Sequence, residues 1–151
     1  MRAVVQRVTA ARVAIDGRTV GEIGPGVVVL LGVAREDTAE EGQWLAEKIA
    51  KLRIFADADG AMNRSLVDTH GDAMVVSQFT LHARTRKGSR PSFNDAAPPD
   101  PARELYTRFL AQLESALCGR RVARGEFGAM MQVSLTNDGP VTIIVDTAEP
   151  K

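Results

Sequence analysis

Hydrophobic positions in the first third of the chain fall into short runs that suit strands. Ala3-Val4-Val5 and Val8 open the series. Val13-Ala14-Ile15 then leads into Asp16-Gly17, a dipeptide that favours the two-residue turn between antiparallel strands. Val20 and Ile23 continue as far as the turn at Gly24-Pro25-Gly26. Val27 to Val33 is apolar on both faces and predicts a central strand. The period then changes. Thr38-Ala39-Glu40-Glu41 has the form of a capping box, and Leu45, Ile49 and Leu52 follow at helical spacing beside Trp44. Glu47, Lys48 and Lys51 fall on the solvated side of that helix. Asp57-Ala58-Asp59-Gly60 reads as a turn, since the remaining ligands of a calcium loop do not follow.

Met74-Val75-Val76-Ser77-Gln78-Phe79-Thr80-Leu81 predicts a buried strand that carries three hydrogen-bonding side chains. Each needs a partner, from the core or from a ligand in a pocket at the strand end. On an ideal strand Gln78 and Thr80 share one face and Ser77 takes the other, so a bend would be required to gather all three. Farther on, Asp100 is placed to cap a helix that starts at Pro101, carries Leu105, Phe109, Leu113 and Leu117 on one face, and ends at Gly119. Gln132–Leu135 and Val141–Val145 predict two last strands joined by a hairpin turn at Asn137-Asp138-Gly139. Six or seven strands and two amphipathic helices, out of alternating order, indicate an α+β fold. The expected architecture is antiparallel-rich and barrel-like, in ββα layers, with two main helices covering the sheet. Two helices leave sheet surface over, which favours a homodimer. Without repeats or a linker, the chain reads as one domain, residues 1–151.

Composition changes this picture little. The 19 basic and 19 acidic residues balance, which argues against non-specific clamping on long duplexes but permits a local basic patch. The one cysteine, Cys118, excludes an internal disulfide and reads as a buried or idle thiol. Neither a signal peptide nor a membrane-spanning run is visible, so a cytoplasmic protein without membrane contact is expected. His70 and His82 lack an acidic partner by position, and no metal-binding spacing occurs; neither metal nor cofactor is expected. A hydrolase built this way attacks a bond already labile and works by positioning and oxyanion donors.

Two further stretches carry candidate chemistry. Arg84, Arg86, Lys87 and Arg90 place four cations in a loop, suited either to solvent or to a phosphate backbone. Thr136-Asn137-Asp138-Gly139-Pro140-Val141-Thr142 contains a Gly-Pro amide, whose cis form costs only about 0.5–1 kcal/mol. In that form successive carbonyls turn to one side, where they can accept from an ammonium group and crowd one hand of a neighbouring carbon.

Together these motifs resemble the D-aminoacyl-tRNA deacylase (D-tyrosyl-tRNA deacylase) family over nearly the whole length. The resemblance is carried by Met1-Arg2-Ala3-Val4-Val5-Gln6-Arg7-Val8, Lys51-Leu52-Arg53-Ile54-Phe55, Ser77-Gln78-Phe79-Thr80-Leu81, Arg90-Pro91-Ser92-Phe93, Phe127-Gly128-Ala129 and Asn137-Asp138-Gly139-Pro140-Val141-Thr142. It implies a cytoplasmic homodimer with active sites at the subunit interface, which hydrolyses the ester between a D-amino acid, or glycine, and the terminal adenosine of tRNA. It further implies that Gly139-Pro140 is cis, enters the other subunit's pocket, holds the substrate amino group and rejects L-amino acids. By the same resemblance Ser77, Gln78 and Thr80 line the reaction centre, with a main-chain amide near Gln78 facing the oxyanion and water as the attacker, assisted by the 2′-hydroxyl. Phe79, Phe127 and Met131 would contact substrate, the last two around the adenine, and Arg7 would brace the Gly-Pro loop. Arg86, Lys87 and Arg90 are candidate tRNA contacts. His82 and Arg84 depart from the family pattern, which more often has an aromatic and an acidic residue there. The rival reading is a nucleic-acid-binding module without catalysis that uses the loop 84–90.

Overall fold

One strand organises the sheet. In the computed structural model, which describes residues 1–148, β1 runs unbroken from Arg2 to Ile15. Three strands pair with it, all antiparallel: β3 (Gly26–Gly32) along residues 2–8, β2 (Arg18–Ile23) along 11–15, and β8 (Gln132–Asp146) along the opposite edge. β6 (Asp72–Ser77) adds parallel to β3, and the short β7 (Ala123–Arg124) adds parallel to β6. The sheet curls until β2 comes up against β7, where a Cβ on Gly21 would stand 2.8 Å from the Arg124 carbonyl oxygen. The result is the α+β, nearly closed barrel that the strand pattern predicts. A separate two-stranded ribbon, β4 (Phe55–Ala56) with β5 (Met62–Arg64), holds the Asp57–Gly60 turn.

Strand alternation divides the core in two. Ala3, Val5, Val27, Val29, Leu31, Ala73 and Val75 point to one face, where α1 (Ala39–Lys51) and α3 (Pro99–Ala116) deliver Leu45, Ile49, Phe109 and Leu113. Val8, Val13, Val28, Met74 and Val76 point inward on the other face and fill the curl. The α1 capping box is present in full, with Thr38 Oγ accepting from the Glu41 amide and the Glu41 carboxylate accepting from the Thr38 amide. The short α2 (Leu66–Thr69) uses the same device through Ser65 and Asp68.

Four expectations need correction. The strand expected over Met74–Leu81 stops at Ser77 and passes into a 3-10 turn, Phe79–His82. α3 begins at Pro99 with Pro98 as its cap, so Asp100 lies inside the first turn. Proline suits these positions because the first helical amides lack intrahelical partners in any case. Of the two readings of Cys118, buried or idle, the first falls: it is exposed just past the helix end, in a left-handed conformation shared by Gly119. Finally, the two last strands are one. β8 pairs with β1 on both sides of Asp138–Val141 and has no hairpin.

The N-terminal end of β1 is fixed by charge. The α-ammonium of Met1 is buried against Asp37 and Thr147, and the Ala34 amide donates to the second Asp37 oxygen at 2.5 Å. Removing one partner of a buried pair leaves the other charge uncompensated, a loss of about 3–5 kcal/mol. Asp37→Ala is therefore expected to lower the melting temperature by roughly 10 °C, as read by thermal denaturation.

Candidate active site

The 3-10 turn supplies the bend that an ideal strand lacks. Ser77 is the last residue of β6 and pairs with Leu31. The chain then turns while the Gln78 amide donates to the Leu31 carbonyl at 2.7 Å, which docks the turn on the end of β3. Gln78 Nε2 donates to Thr80 Oγ1 at 2.5 Å. Ser77 and Gln78 are half-buried and Phe79 and Thr80 exposed, so the polar groups gather at a rim open to solvent. Because the Gln78 amide is spent on Leu31, it does not face an oxyanion. The amides of Phe79 and Thr80 are the open ones, since neither donates to any group among the described residues. They are two main-chain donors side by side, a geometry suited to developing negative charge.

Among the described residues no base is bonded to Thr80. Thr80 Oγ1 meets an amide donor rather than an imidazole or carboxylate. His82 is buried with Nε2 unpartnered, and among the described residues no group of three His, Cys, Asp or Glu side chains is placed to hold a metal ion. A threonine without a base is a poor nucleophile, so the arrangement favours an attacking water.

Sequence reading missed the residue that anchors the turn. Arg2 donates from Nη1 to the Leu81 carbonyl at 2.8 Å and pairs with Asp146 in β8. Burial opposes ionisation of Asp146, yet the Ala148 amide and the Arg2 guanidinium together hold its carboxyl below the ordinary value. A lowered folded-state value means that this tie contributes fully at neutral pH and is lost only as pH falls below the usual carboxylate range. Phe79 is also braced, by an edge contact with Phe93 at 5.1 Å between ring centroids.

The adjoining wall is aromatic. Val75 and Ser77 share a face of β6 about 6.7 Å apart. The Tyr106 hydroxyl donates to the Val75 carbonyl at 3.0 Å, and burial pushes its phenol up to about 12, so it keeps its proton throughout the physiological range. Tyr106 packs on Phe127 at 5.6 Å, and Arg103 lies over the Phe127 ring. Met131 packs on the other core, against the inside of the curl.

The Gly139-Pro140 segment is held differently from a hairpin. From Gln6 to Val8, two steps on β1 match five on β8, from Thr142 back to Asn137, so three extra residues bulge out of the strand. Asn137 closes the base of this excursion with its side chain: Oδ1 accepts from the Val141 amide at 2.7 Å, and Nδ2 donates to the Val141 carbonyl at 3.2 Å. An asparagine amide thereby replaces a missing rung of the ladder. Sequence reading credited Asn137 only with turn chemistry. Arg7 secures the tip by donating to the Asp138 carbonyl at 2.8 Å and to the Ile54 carbonyl at 2.6 Å. Asp138, Gly139 and Pro140 are exposed, and the Gly139-Pro140 bond is cis.

Within one chain these two groups stand apart. Arg2, which touches the 3-10 turn, and Arg7, which touches the excursion, are five steps apart on β1, roughly 17 Å along the strand. Ser77, Gln78, Phe79 and Thr80 form one cluster, to which Phe127 connects through Tyr106 and the Val75 carbonyl, while Arg7, Gly139 and Pro140 form another. The basic loop is a third. Arg84 and Ser92 exchange backbone hydrogen bonds at its base, and Arg84 is committed to a two-point pair with Asp95 at 2.5 and 2.6 Å. Arg86, Lys87 and Arg90 are left exposed at the tip, with no bonded partner among the described residues.

Residues 4–146 match the family described as D-Tyr-tRNA(Tyr) deacylase. Over 147 residues the chain is 60% identical to the D-aminoacyl-tRNA deacylase of Opitutus terrae, with 97% of each chain covered. Among solved structures it is similar to the c-Myc DNA Unwinding Element Binding Protein, with a TM-score of 0.93, 42% identity and full coverage of both chains. It shares its fold with a probable eukaryotic D-amino acid tRNA deacylase at a TM-score of 0.83 and 19% identity, over 95% of this chain and 97% of that one.

Proposed function

We propose, from the premise that this chain belongs to the D-Tyr-tRNA(Tyr) deacylase family of ester hydrolases, how its residues perform the hydrolysis of D-aminoacyl-tRNA. Two copies assemble so that the Asp138–Pro140 excursion of one reaches the Ser77–Thr80 turn of the other. The observation that carries this reading is the separation of the two clusters within one chain, each braced by its own arginine and each exposed. The helix-free face of the sheet offers the contact surface. Val4, Leu30 and Ile144 lie side by side on it, and Ile144 is 67% exposed.

In the assembled site the Gly139 and Pro140 carbonyls accept from the substrate ammonium, and their backbone occupies the space that an L side chain would need. Recognition by main chain leaves the D side chain free to vary, and glycine, which has none, is also accepted. Water attacks the ester carbonyl with help from the 2′-hydroxyl of the terminal ribose. The Phe79 and Thr80 amides receive the oxyanion, while Ser77, Gln78 and Thr80 fix the ester by hydrogen bonds. An aminoacyl ester is activated, so positioning and two donors suffice without a strong acid or base. Phe79, Phe127 and Met131 contact the terminal adenosine. The protein works in the cytoplasm on charged tRNA and needs neither metal nor cofactor.

The test is release of amino acid from matched D- and L-aminoacyl-tRNA. Rapid hydrolysis of D-aminoacyl-tRNAs of differing side-chain size, with the L forms intact, is expected. Equal rates for both hands would remove the chirality reading.

The exposed Arg86, Lys87 and Arg90 favour one addition, a phosphate contact on the tRNA. A binding module without catalysis would use the same loop, and substitutions separate the two readings. In the deacylase, Arg86→Ala with Lys87→Ala should raise KM severalfold and flatten the salt dependence while kcat stays. In the rival, Thr80→Ala and Gly139→Ala would leave the only activity, nucleic-acid affinity, untouched.

A further inference from the structure

We infer that Arg103 is a phosphate-binding residue for the 3′ strand of the tRNA, at the phosphodiester that precedes the terminal adenosine; this rests on the deacylase reading above. Its guanidinium carbon lies 5.2 Å from the centroid of the Phe127 ring. Stacking on an aromatic face fixes the plane of a guanidinium and leaves its N–H edge free, an edge that matches two phosphate oxygens. Arg84 is paired with Asp95, Arg124 with Glu114 and Arg2 with Asp146, whereas Arg86 and Arg90, among the described residues, stand free on the separate basic loop. The Arg103 side chain is exposed and has no hydrogen bond or ion pair among the described residues.

Its place in the fold sets what it meets. Arg103 is one helical turn before Tyr106 on α3, and Tyr106 is bonded to the Val75 carbonyl, two residues below Ser77. Arg103 thus stands on the rim of the wall that leads to the reaction centre, on the ring assigned to the adenosine. With the base beside Phe127 and the ester at Ser77–Thr80, the next charged group of the RNA is the phosphate on the 5′ side of that nucleotide. The α3 N-terminus offers little to an anion, because its one open amide among the described residues, that of Asp100, sits beside its own carboxylate. Pro99 and Pro101 have no amide hydrogen, and the Ala102 amide is bonded to the Pro98 carbonyl.

The experiment compares Arg103→Ala and Arg103→Lys with the wild type on two substrates, D-aminoacyl-tRNA and D-aminoacyl-adenosine, which lacks phosphate. Arg103→Ala should raise KM for the tRNA substrate about five- to tenfold, leave kcat unchanged, and make the slope of log(kcat/KM) against log salt shallower by about 0.7–0.9. Neither constant should move for D-aminoacyl-adenosine. Arg103→Lys should retain most of the salt slope. Equal losses on both substrates would show that Arg103 acts only by holding Phe127, and an unchanged tRNA KM would show no contact; either overturns the assignment. A wild-type protein inert on both substrates would overturn the deacylase reading itself, and this assignment with it.

Discussion

Gly139→Ala protein is expected to hydrolyse D-aminoacyl-tRNA about a hundredfold more slowly than the wild type while melting within a few degrees of it. Gly139 has φ +150°, a region that side chains rarely adopt, and a Cβ there would fall 2.7 Å from the Val141 amide nitrogen and 2.8 Å from Val141 Cγ2. The neighbouring backbone is pinned by Asn137 on one side and Arg7 on the other, so the tip cannot shift as a unit. It must instead deform, and a displacement on the order of 1 Å at a substrate-positioning group costs about two powers of ten in rate. Stability is spared because the tip is exposed and lies outside both cores. Single-turnover rates on D-tyrosyl-tRNA, set beside thermal melts, separate the two effects. Near-normal hydrolysis would mean that the Asp138–Pro140 excursion does not touch substrate.

Ile144→Glu has a comparable expected effect by another route. Ile144 pairs with Val4 in a register that turns both away from the helix-side core, and among the described residues Ile144 is left 67% exposed. Among the described residues β8 is also an edge strand, 15 residues long and paired with β1 alone, and so long an edge is ordinarily covered. A carboxylate on this face should be harmless to the isolated chain but should repel or desolvate across a two-fold contact. The variant is expected to sediment as a monomer, to keep its circular dichroism, and to lose at least about 90% of its deacylase activity, because each monomer holds only part of a site. A monomeric variant with full activity would place the whole site within one chain.

Much of the fold was legible because periodicity and capping agreed. The Thr38 capping box, the Asp16-Gly17 turn and the double-faced run at Val27–Leu31 each predicted their element. What failed was local chemistry that tertiary structure overrides. Asn137-Asp138-Gly139 has the composition of a hairpin turn, and nothing within the motif says that the strand resumes on the same partner. That is decided by β1, which is long enough to pair with both halves. Thr80 belongs by pattern to a strand, yet the Leu31 carbonyl captures the Gln78 amide and the chain turns. The same bond occupies the Gln78 amide and leaves those of Phe79 and Thr80, next to it, open. Arg2 and Asp146 were illegible for a simpler reason: 144 residues separate them, and only the pairing of β1 with β8 brings them together.

Mixing two inactive variants tests most directly whether the site is shared between copies. One carries Gln78→Ala with Thr80→Ala and keeps its excursion; the other carries Gly139→Ala and keeps its turn. If each site joins the turn of one copy to the excursion of the other, half of the randomly mixed dimers will be heterodimers with one intact site in two. Activity should then recover to roughly a quarter of wild type after exchange. Activity that stays at the sum of the two separate variants, with heterodimers shown to have formed, would contradict the shared site.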